Sequence, residues 1–375
     1  MATRTSTTPV LSQRALNRAL LARQMLLERS PRPVFEAVHH LVGLQAQAPW
    51  SPYYALWSRL EGFDPHELGT MLTDRRVVRI VVMRSTVHLV TADDCRLLRP
   101  LLAEFLARGL TGANWRSQLV DLDLDAVVAD GRALIEAEPL TFNELGRRLA
   151  EGRPGRDPAA LAQVLRARAP LVQLPPRAVW GQAGQVVVTT AEHWLGGPLA
   201  VEGTLDEMML RYLAAFGPAS VMDVQAWCGL TRLREVADRL GDRVVRFRNE
   251  AGRELLDLPE APRPDADVPA PVRFLPDFDN ITLSHADRSR IVTEEVRKGI
   301  QSPNAVAPGT VLVDGMVAGT WSIERGKESA SLVVSPLTTP TAAQRDEITA
   351  EGERLLAFAA AEAGGHDVRI VAPSP

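Results

Sequence analysis

The segment LDEMMLRYLAAFGPASVMDVQAWCGLTRLREVADRL (residues 205–240), continued by GDRVVRFRNEAGRELLDL (residues 241–258), decides the architecture. Leu205, Met208, Met209, Tyr212, Leu213 and Phe216 recur at helical spacing, and Gly217-Pro218 ends that helix. Ser220 is placed to cap a second helix through Trp227, and Gly229 supplies a tight turn. Thr231 is placed to cap a third helix, with Leu233, Val236, Ala237 and Leu240 on one face. Val244 to Phe247 and Leu255 to Leu258 read as a hairpin around Asn249-Glu250-Ala251-Gly252. Helix, helix, turn, helix, hairpin is the order of a winged helix-turn-helix.

Outward from this segment the same order recurs twice, as repetition of architecture without a strict sequence period. A helix from about Leu124 ends near Pro139, Thr141 with Glu144 predicts a capping box, and Asp157-Pro158 opens a helix to Arg168. Leu171 to Leu174 and Val186 to Thr190 are its strands. Nearer the N-terminus, Ser12 opens a helix carrying Leu16, Ala19, Leu20, Arg23 and Leu27. Short helices over 33–41, 52–60 and 65–72 follow, then a hairpin of Val77 to Val82 and Thr86 to Val90. Arg263 to Pro271, rich in Pro, Asp and Ala, reads as a linker. Beyond it strands are expected at Val272 to Leu275, Ile281 to Leu283, Thr310 to Val313, Met316 to Trp321 and Ser331 to Val334. Asp314-Gly315 is a type I′ hairpin signal. Thr341 with Gln344 caps a last helix to about Ala363, and Val368 to Val371 returns as a strand.

Composition bounds the function. At 375 residues and 46% hydrophobic content the chain has material for several modules with real cores. No apolar run reaches the length of a membrane helix. Met1 to Pro9 is Thr-rich and lacks the apolar middle of a signal peptide, so a cytoplasmic protein is expected. Cys95 and Cys228 are the only cysteines, which excludes a disulfide framework and a Cys-rich zinc site. A net charge of −4 argues mildly against nucleic-acid binding. Yet Lys298 and Lys327 are the only lysines, so positive charge is nearly all arginine, the residue suited to bidentate phosphate and base contacts. Arginines cluster at Arg75, Arg76, Arg79 and Arg84, and again at Arg147, Arg148, Arg153, Arg156, Arg166 and Arg168.

The chain has no P-loop, dinucleotide fingerprint, His-Glu-x-x-His or nucleophile elbow. His39-His40 splays apart on a helix and does not suit a metal. The candidate for chemistry is Gln45-Ala46-Gln47 within Gly43-Leu44-Gln45-Ala46-Gln47-Ala48-Pro49-Trp50-Ser51-Pro52. Pro49 disfavours helix at Ala48, and Ser51-Pro52 reads as an N-cap with proline at the first helical position. On an extended backbone residues i and i+2 share a face, so Gln45 and Gln47 project together with Ala46 turned inward. Such a pair is compatible with a satisfied loop network, with bidentate pairing to adenine, or with holding a water. Arg84, Thr86 and His88 would share one strand face, either a DNA-facing wing or a polar solvent face. Pro276-Asp277-Phe278-Asp279-Asn280 and Ser284-His285-Ala286-Asp287-Arg288 gather polar groups that turn chemistry largely explains.

Together these pieces resemble the bacterial winged-helix proteins that include the AlkZ-type DNA glycosylases. The resemblance is carried by Leu44-Gln45-Ala46-Gln47, Met83 to Val90, Leu275 to Asn280, Ser284 to Arg290 and Asp314 to Trp321, in consistent order over most of the chain. It implies an α+β fold of three tandem winged helix-turn-helix motifs plus a C-terminal β-barrel-like region, forming a C-shaped molecule with a DNA channel. The expected modules are residues 1–110, 111–195, 196–262 and 263–375. It also implies that Gln45 and Gln47 are catalytic, and that Arg84, His88, Asn280, His285 and Arg288 line the channel or support it. The implied activity is monofunctional hydrolysis of N-glycosidic bonds at bulky N7-alkylguanine and unhooking of interstrand crosslinks, serving self-resistance to a genotoxic natural product. No metal or cofactor is implied, the partner is double-stranded DNA carrying alkylated guanine, and a monomer is expected. The rival readings are a DNA-binding regulator without catalysis and a drug-sequestering protein.

Overall fold

The structure is a computed structural model and describes residues 8–199, 203–300 and 307–373; Met1 to Thr7 of the Thr-rich terminus lie outside them. The helix–hairpin order expected at residues 205–258 is present. Leu205–Phe216 starts at Thr204, whose hydroxyl accepts from Glu207 N at 3.1 Å, and it buries Met208, Met209, Tyr212, Leu213 and Phe216. Val221–Cys228 carries a capping box between Ser220 and Asp223 and stops at Gly229 (φ +82). A β-carbon on Gly229 would meet the Phe105 ring at 2.3 Å, so glycine is required there twice over. The third helix starts later than expected, at Arg234–Arg239, and Thr231 does not cap it. Arg232 is in the left-handed region, and the Gln225 side chain accepts the Leu233 N–H at 3.1 Å in place of a local cap. The hairpin Val245–Asn249 with Glu254–Asp257 gains Val10–Leu11 as a parallel third strand.

Helices Leu124–Ala137, Phe142–Glu151 and Pro158–Arg168 precede strands Leu171–Gln173 and Val187–Thr190. Thr141 accepts from Glu144 N, but the Glu144 carboxylate binds Arg147 and Arg148, so the capping box is only half formed. Nearer the N-terminus, Gln13–Arg23, Val34–His40, Ser51–Arg59 and Pro65–Thr73 precede the hairpin Val77–Val81 and Val87–Thr91. Ser51 lies inside its helix, because Trp50 already has helical angles and serves as N-cap. The two hairpins do not stand apart as separate wings. They fuse through Arg79↔Gln173 and Ile80↔Val172 into a six-stranded antiparallel sheet edged by Leu44–Gln45 and Leu140–Thr141.

Among the described residues the C-terminal region is an open five-stranded sheet, not a closed barrel. Arg273–Leu275, Thr310–Val313, Met316–Arg325 and Ser329–Pro336 run antiparallel in sequence order, and Gly365–Ile370 adds in parallel through helix Ala342–Ala359. Closure needs the first and last strands to pair, and here both are edges. Residues 281–283 are not a strand: Asn280–Thr282 is a 3₁₀ turn, held because Asp279 accepts from Ile281 N at 3.0 Å. One hydrophobic core joins Leu20, Val78, Tyr212, Leu256, Ile291 and Leu312, and so ties together the N-terminal helix, the six-stranded sheet, the third helical unit and the C-terminal region. Cys95 and Cys228 are free and buried. Among the described residues no helix is long and apolar enough to cross a membrane.

Candidate active site

Strand Leu44–Gln45 enters the sheet beside Val87–Thr91 with Gln45 opposite His88. Gly43 makes the entry possible. Its φ is +88, and a β-carbon there would lie 2.6 Å from Val90 Cγ1 and 2.9 Å from the Leu89 carbonyl. Ala46 is clamped at both ends of its peptide units: its N–H donates to Val87 O at 2.7 Å, and its carbonyl accepts from Arg79 Nη2 at 2.8 Å. Its methyl is fully buried, as expected from the spacing. The flanking glutamines differ in environment. Gln45 is buried and its Oε1 accepts from Arg84 Nη2 at 2.7 Å. Gln47 is exposed, with Oε1 3.5 Å from Val87 N, the outer limit of a hydrogen bond.

Arg84 is the hub. It occupies the turn between the two strands rather than a strand face, with Arg84 at φ +54 and Ser85 at φ +58. From there Nη2 also donates to Asn280 Oδ1 at 2.8 Å and lies 3.3 Å from His88 Nε2. Burial, then the nearby Arg288 guanidinium, lowers the Arg84 pKa to about 10, leaving it charged at neutral pH. His88 is fully buried, not on a solvent face. Its Nδ1 sits 3.0 Å from Thr86 O and so carries the proton, leaving Nε2 as a lone pair toward Arg84. Burial and the Arg84 charge push its pKa down to about 3, so the imidazole is neutral. Asn280 is buried, and its Nδ2 donates to Gly43 O at 3.0 Å. The Asp279 carboxylate beside it forms a bidentate pair with buried Arg59 at 2.9 and 2.8 Å. Gln45, Arg84, His88 and Asn280 therefore form one fixed cluster.

A family model described as DNA glycosylase AlkZ-like matches residues 38–358, from before the glutamine motif to the last helix. The chain belongs to the AlkZ-like DNA glycosylase family. It is accordingly a glycosylase enzyme of DNA repair. No curated protein sequence matches it. Among solved structures it is similar to the DNA glycosylase AlkZ of Streptomyces sahachiroi, with a TM-score of 0.75 and 21% identity over 96% of this chain and 100% of that one. That likeness speaks for a shared fold.

Within this AlkZ-like chain, His285 and Arg288 are hydrogen-bonded elsewhere than to the cluster, although the Arg288 charge acts on Arg84. His285 is buried, its Nε2–H donates to Phe216 O at 3.0 Å, and burial foremost pushes its pKa down to about 4. Asp223 accepts from Ala286 N at 3.0 Å, so this corner anchors the segment to the third helical unit. Arg288 is half-buried and lines a surface cavity of about 400 Å³ with Asp287, Glu294 and Arg297. Neither arginine cluster is a bare basic patch. Arg147, Arg148, Arg153 and Arg168 pair with Glu144, Glu138, Asp130 and Asp125. Arg75 and Arg76 lie over Trp194 and Phe35. Sequence reading passed over two contributors, the Arg59–Asp279 pair and Arg79 as the clamp on Ala46. A signal existed for the second, since Arg79 interrupts the apolar run Val77-Val78-Arg79-Ile80-Val81.

Proposed function

We propose that this glycosylase hydrolyses the N-glycosidic bond of bulky N7-alkylguanine in double-stranded DNA and unhooks interstrand crosslinks, with Gln45 and Gln47 placing the attacking water. Alkylation at N7 makes the guanine cationic and a good leaving group, so little acid assistance is needed. Bond breaking gives the sugar oxocarbenium character. Two neutral amides suit this chemistry, because they hold a water against the anomeric carbon without a strong base, and the one oxygen left open, that of Gln47, favours developing positive charge. The observation that carries the reading is the unequal pair of environments. With Oε1 of Gln45 committed to Arg84, its Nε2–H groups remain to donate to the water oxygen. The exposed Gln47 oxygen then accepts a hydrogen bond from the same water, whose proton passes to solvent once the C–O bond has formed. Neutral His88 lies behind Gln45 as support for Arg84 and moves no proton.

In the same reading the three helix–hairpin units, within residues 1–110, 111–195 and 196–262, are winged-helix modules that with residues 263–375 give a C-shaped monomer around DNA. The protein serves self-resistance to a DNA-alkylating natural product in the cytoplasm. Family membership displaces the regulator and the drug-sequestering readings. The test is product analysis on a duplex holding one N7-alkylguanine. Free alkylated base and an intact strand with an alkali-labile abasic site are expected. Strand breakage without alkali would contradict monofunctional hydrolysis, and no base release would contradict the substrate assignment.

A further inference from the structure

Ala48, next after Gln47, edges a cavity of about 330 Å³ walled by the rings of Trp50, Tyr54 and Trp321, with Asp277 and Arg325 among its lining. The walls are fixed in place. Trp321 Nε1 donates to Leu275 O at 2.8 Å, and its ring meets Tyr54 edge-on at 5.7 Å. Tyr54 in turn packs edge-on against Phe358 at 6.1 Å. Arg325 is tied to Ala359 O at 2.7 Å. One carboxyl and one guanidinium leave the lining without net charge, so a phosphodiester gains little there. Flat apolar rings gain contact area and edge-to-face packing on such walls. A second cavity, of about 340 Å³, shares Trp50, Tyr54 and Arg325 but is otherwise lined by Trp180, Gly181, Ala359 and Glu362, without Ala48.

We propose that the cavity beside Ala48 receives the flat aromatic part of the substituent carried on N7 of the damaged guanine. This rests on the glycosylase reading above, in which Gln45 and Gln47 face the sugar of the same nucleotide. A group bonded to N7 stays tethered a few bonds from the anomeric carbon, within reach of a cavity that begins one residue beyond Gln47. Docking it there lends binding energy from a non-reacting part of the substrate to the positioning of the sugar. A methyl substituent is too short to enter, so lesion size is sensed outside the catalytic pair.

The test compares two duplexes of one sequence, carrying N7-methylguanine or N7-benzylguanine, each also made with a 2′-fluorinated sugar that resists hydrolysis. On the uncleavable pair, anisotropy titration of the wild-type protein should show the benzyl duplex bound roughly tenfold tighter. Ile323→Trp, which fills the cavity from a half-buried strand position, should abolish that preference and leave binding of the methyl duplex within about twofold. Equal affinity of the wild-type protein for both duplexes overturns the proposal. So does a benzyl preference that survives Ile323→Trp in a protein with an unchanged melting curve. Failure of the glycosylase reading would look different, as absence of base release from both cleavable duplexes whatever their affinities.

Discussion

Gln45 and Gln47 stand two residues apart yet in opposite surroundings, one held by a buried guanidinium and the other open to solvent. The spacing alone indicated a shared direction and a buried Ala46; it did not indicate that one amide is oriented by Arg84 while the other is left adjustable. That difference arises from a residue 39 positions away whose backbone is left-handed. The same cluster makes a pH prediction. His88 stays neutral in the folded protein down to about pH 3, whereas the unfolded chain takes up that proton near pH 6.5. The unfolded state therefore binds more protons across that window, and stability is lost as pH falls from about 6.5 toward 3. His285, held down to about 4, adds a slope of the same sign. Urea midpoints at pH 7.5 and pH 5 should differ, and His88→Asn should reduce the difference. An unchanged slope in that variant would mean the buried imidazole is not neutral. Base release itself should show no His88 inflection near pH 6.5.

At the scale of elements, local signals were read well. Ser12, Asp157 and Ser220 cap their helices through side-chain oxygens, and Thr341 with Gln344 forms the full capping box. Asp314-Gly315 makes the expected turn with both residues at positive φ. What escaped were Gln225 replacing Thr231 as cap from 8 residues away, Asp279 (itself held by Arg59) converting residues 281–283 from strand to turn, and the fusion of two hairpins into one sheet. Register between strands roughly ninety residues apart has no local signature. The Arg84–Asn280 bond has none either, since turn chemistry accounts for Asn280 in sequence and says nothing of what it reaches. Gly43 tests how tightly the motif depends on its strand. Gly43→Ala puts a β-carbon against Val90 and Leu89 at a left-handed φ. A loss of about 1–3 kcal/mol from the backbone strain alone is expected, read as a lower urea midpoint, with slower base release because Leu44–Gln45 must shift. Unchanged stability and rate would show that the strand tolerates relocation.

At the scale of the whole molecule, the repeated helix–hairpin units are not independent bodies. Arg23 of the first helix forms a buried pair with Asp257 of the third unit's hairpin at 2.6 Å, and Val10–Leu11 completes that unit's sheet. A fragment of residues 203–262 leaves Asp257 without Arg23 and exposes the Tyr212 and Leu256 side of the shared core. It should lack a cooperative thermal transition by circular dichroism, and a sharp transition would mean the unit is autonomous after all. The cluster around Gln45 is likewise not autonomous, since Asn280 of the C-terminal region donates to Gly43 O and Asp279 pairs with Arg59, so the cluster forms only in the assembled chain. The most direct measurement is the single-turnover rate of base release from an N7-alkylguanine duplex by the wild-type protein, Gln45→Ala and Gln47→Ala. Both variants should unfold cooperatively, Gln45→Ala at a lower temperature because buried Arg84 loses an acceptor, and both should release base roughly a hundredfold more slowly, whereas wild-type rates in folded variants would remove the two amides from the chemistry.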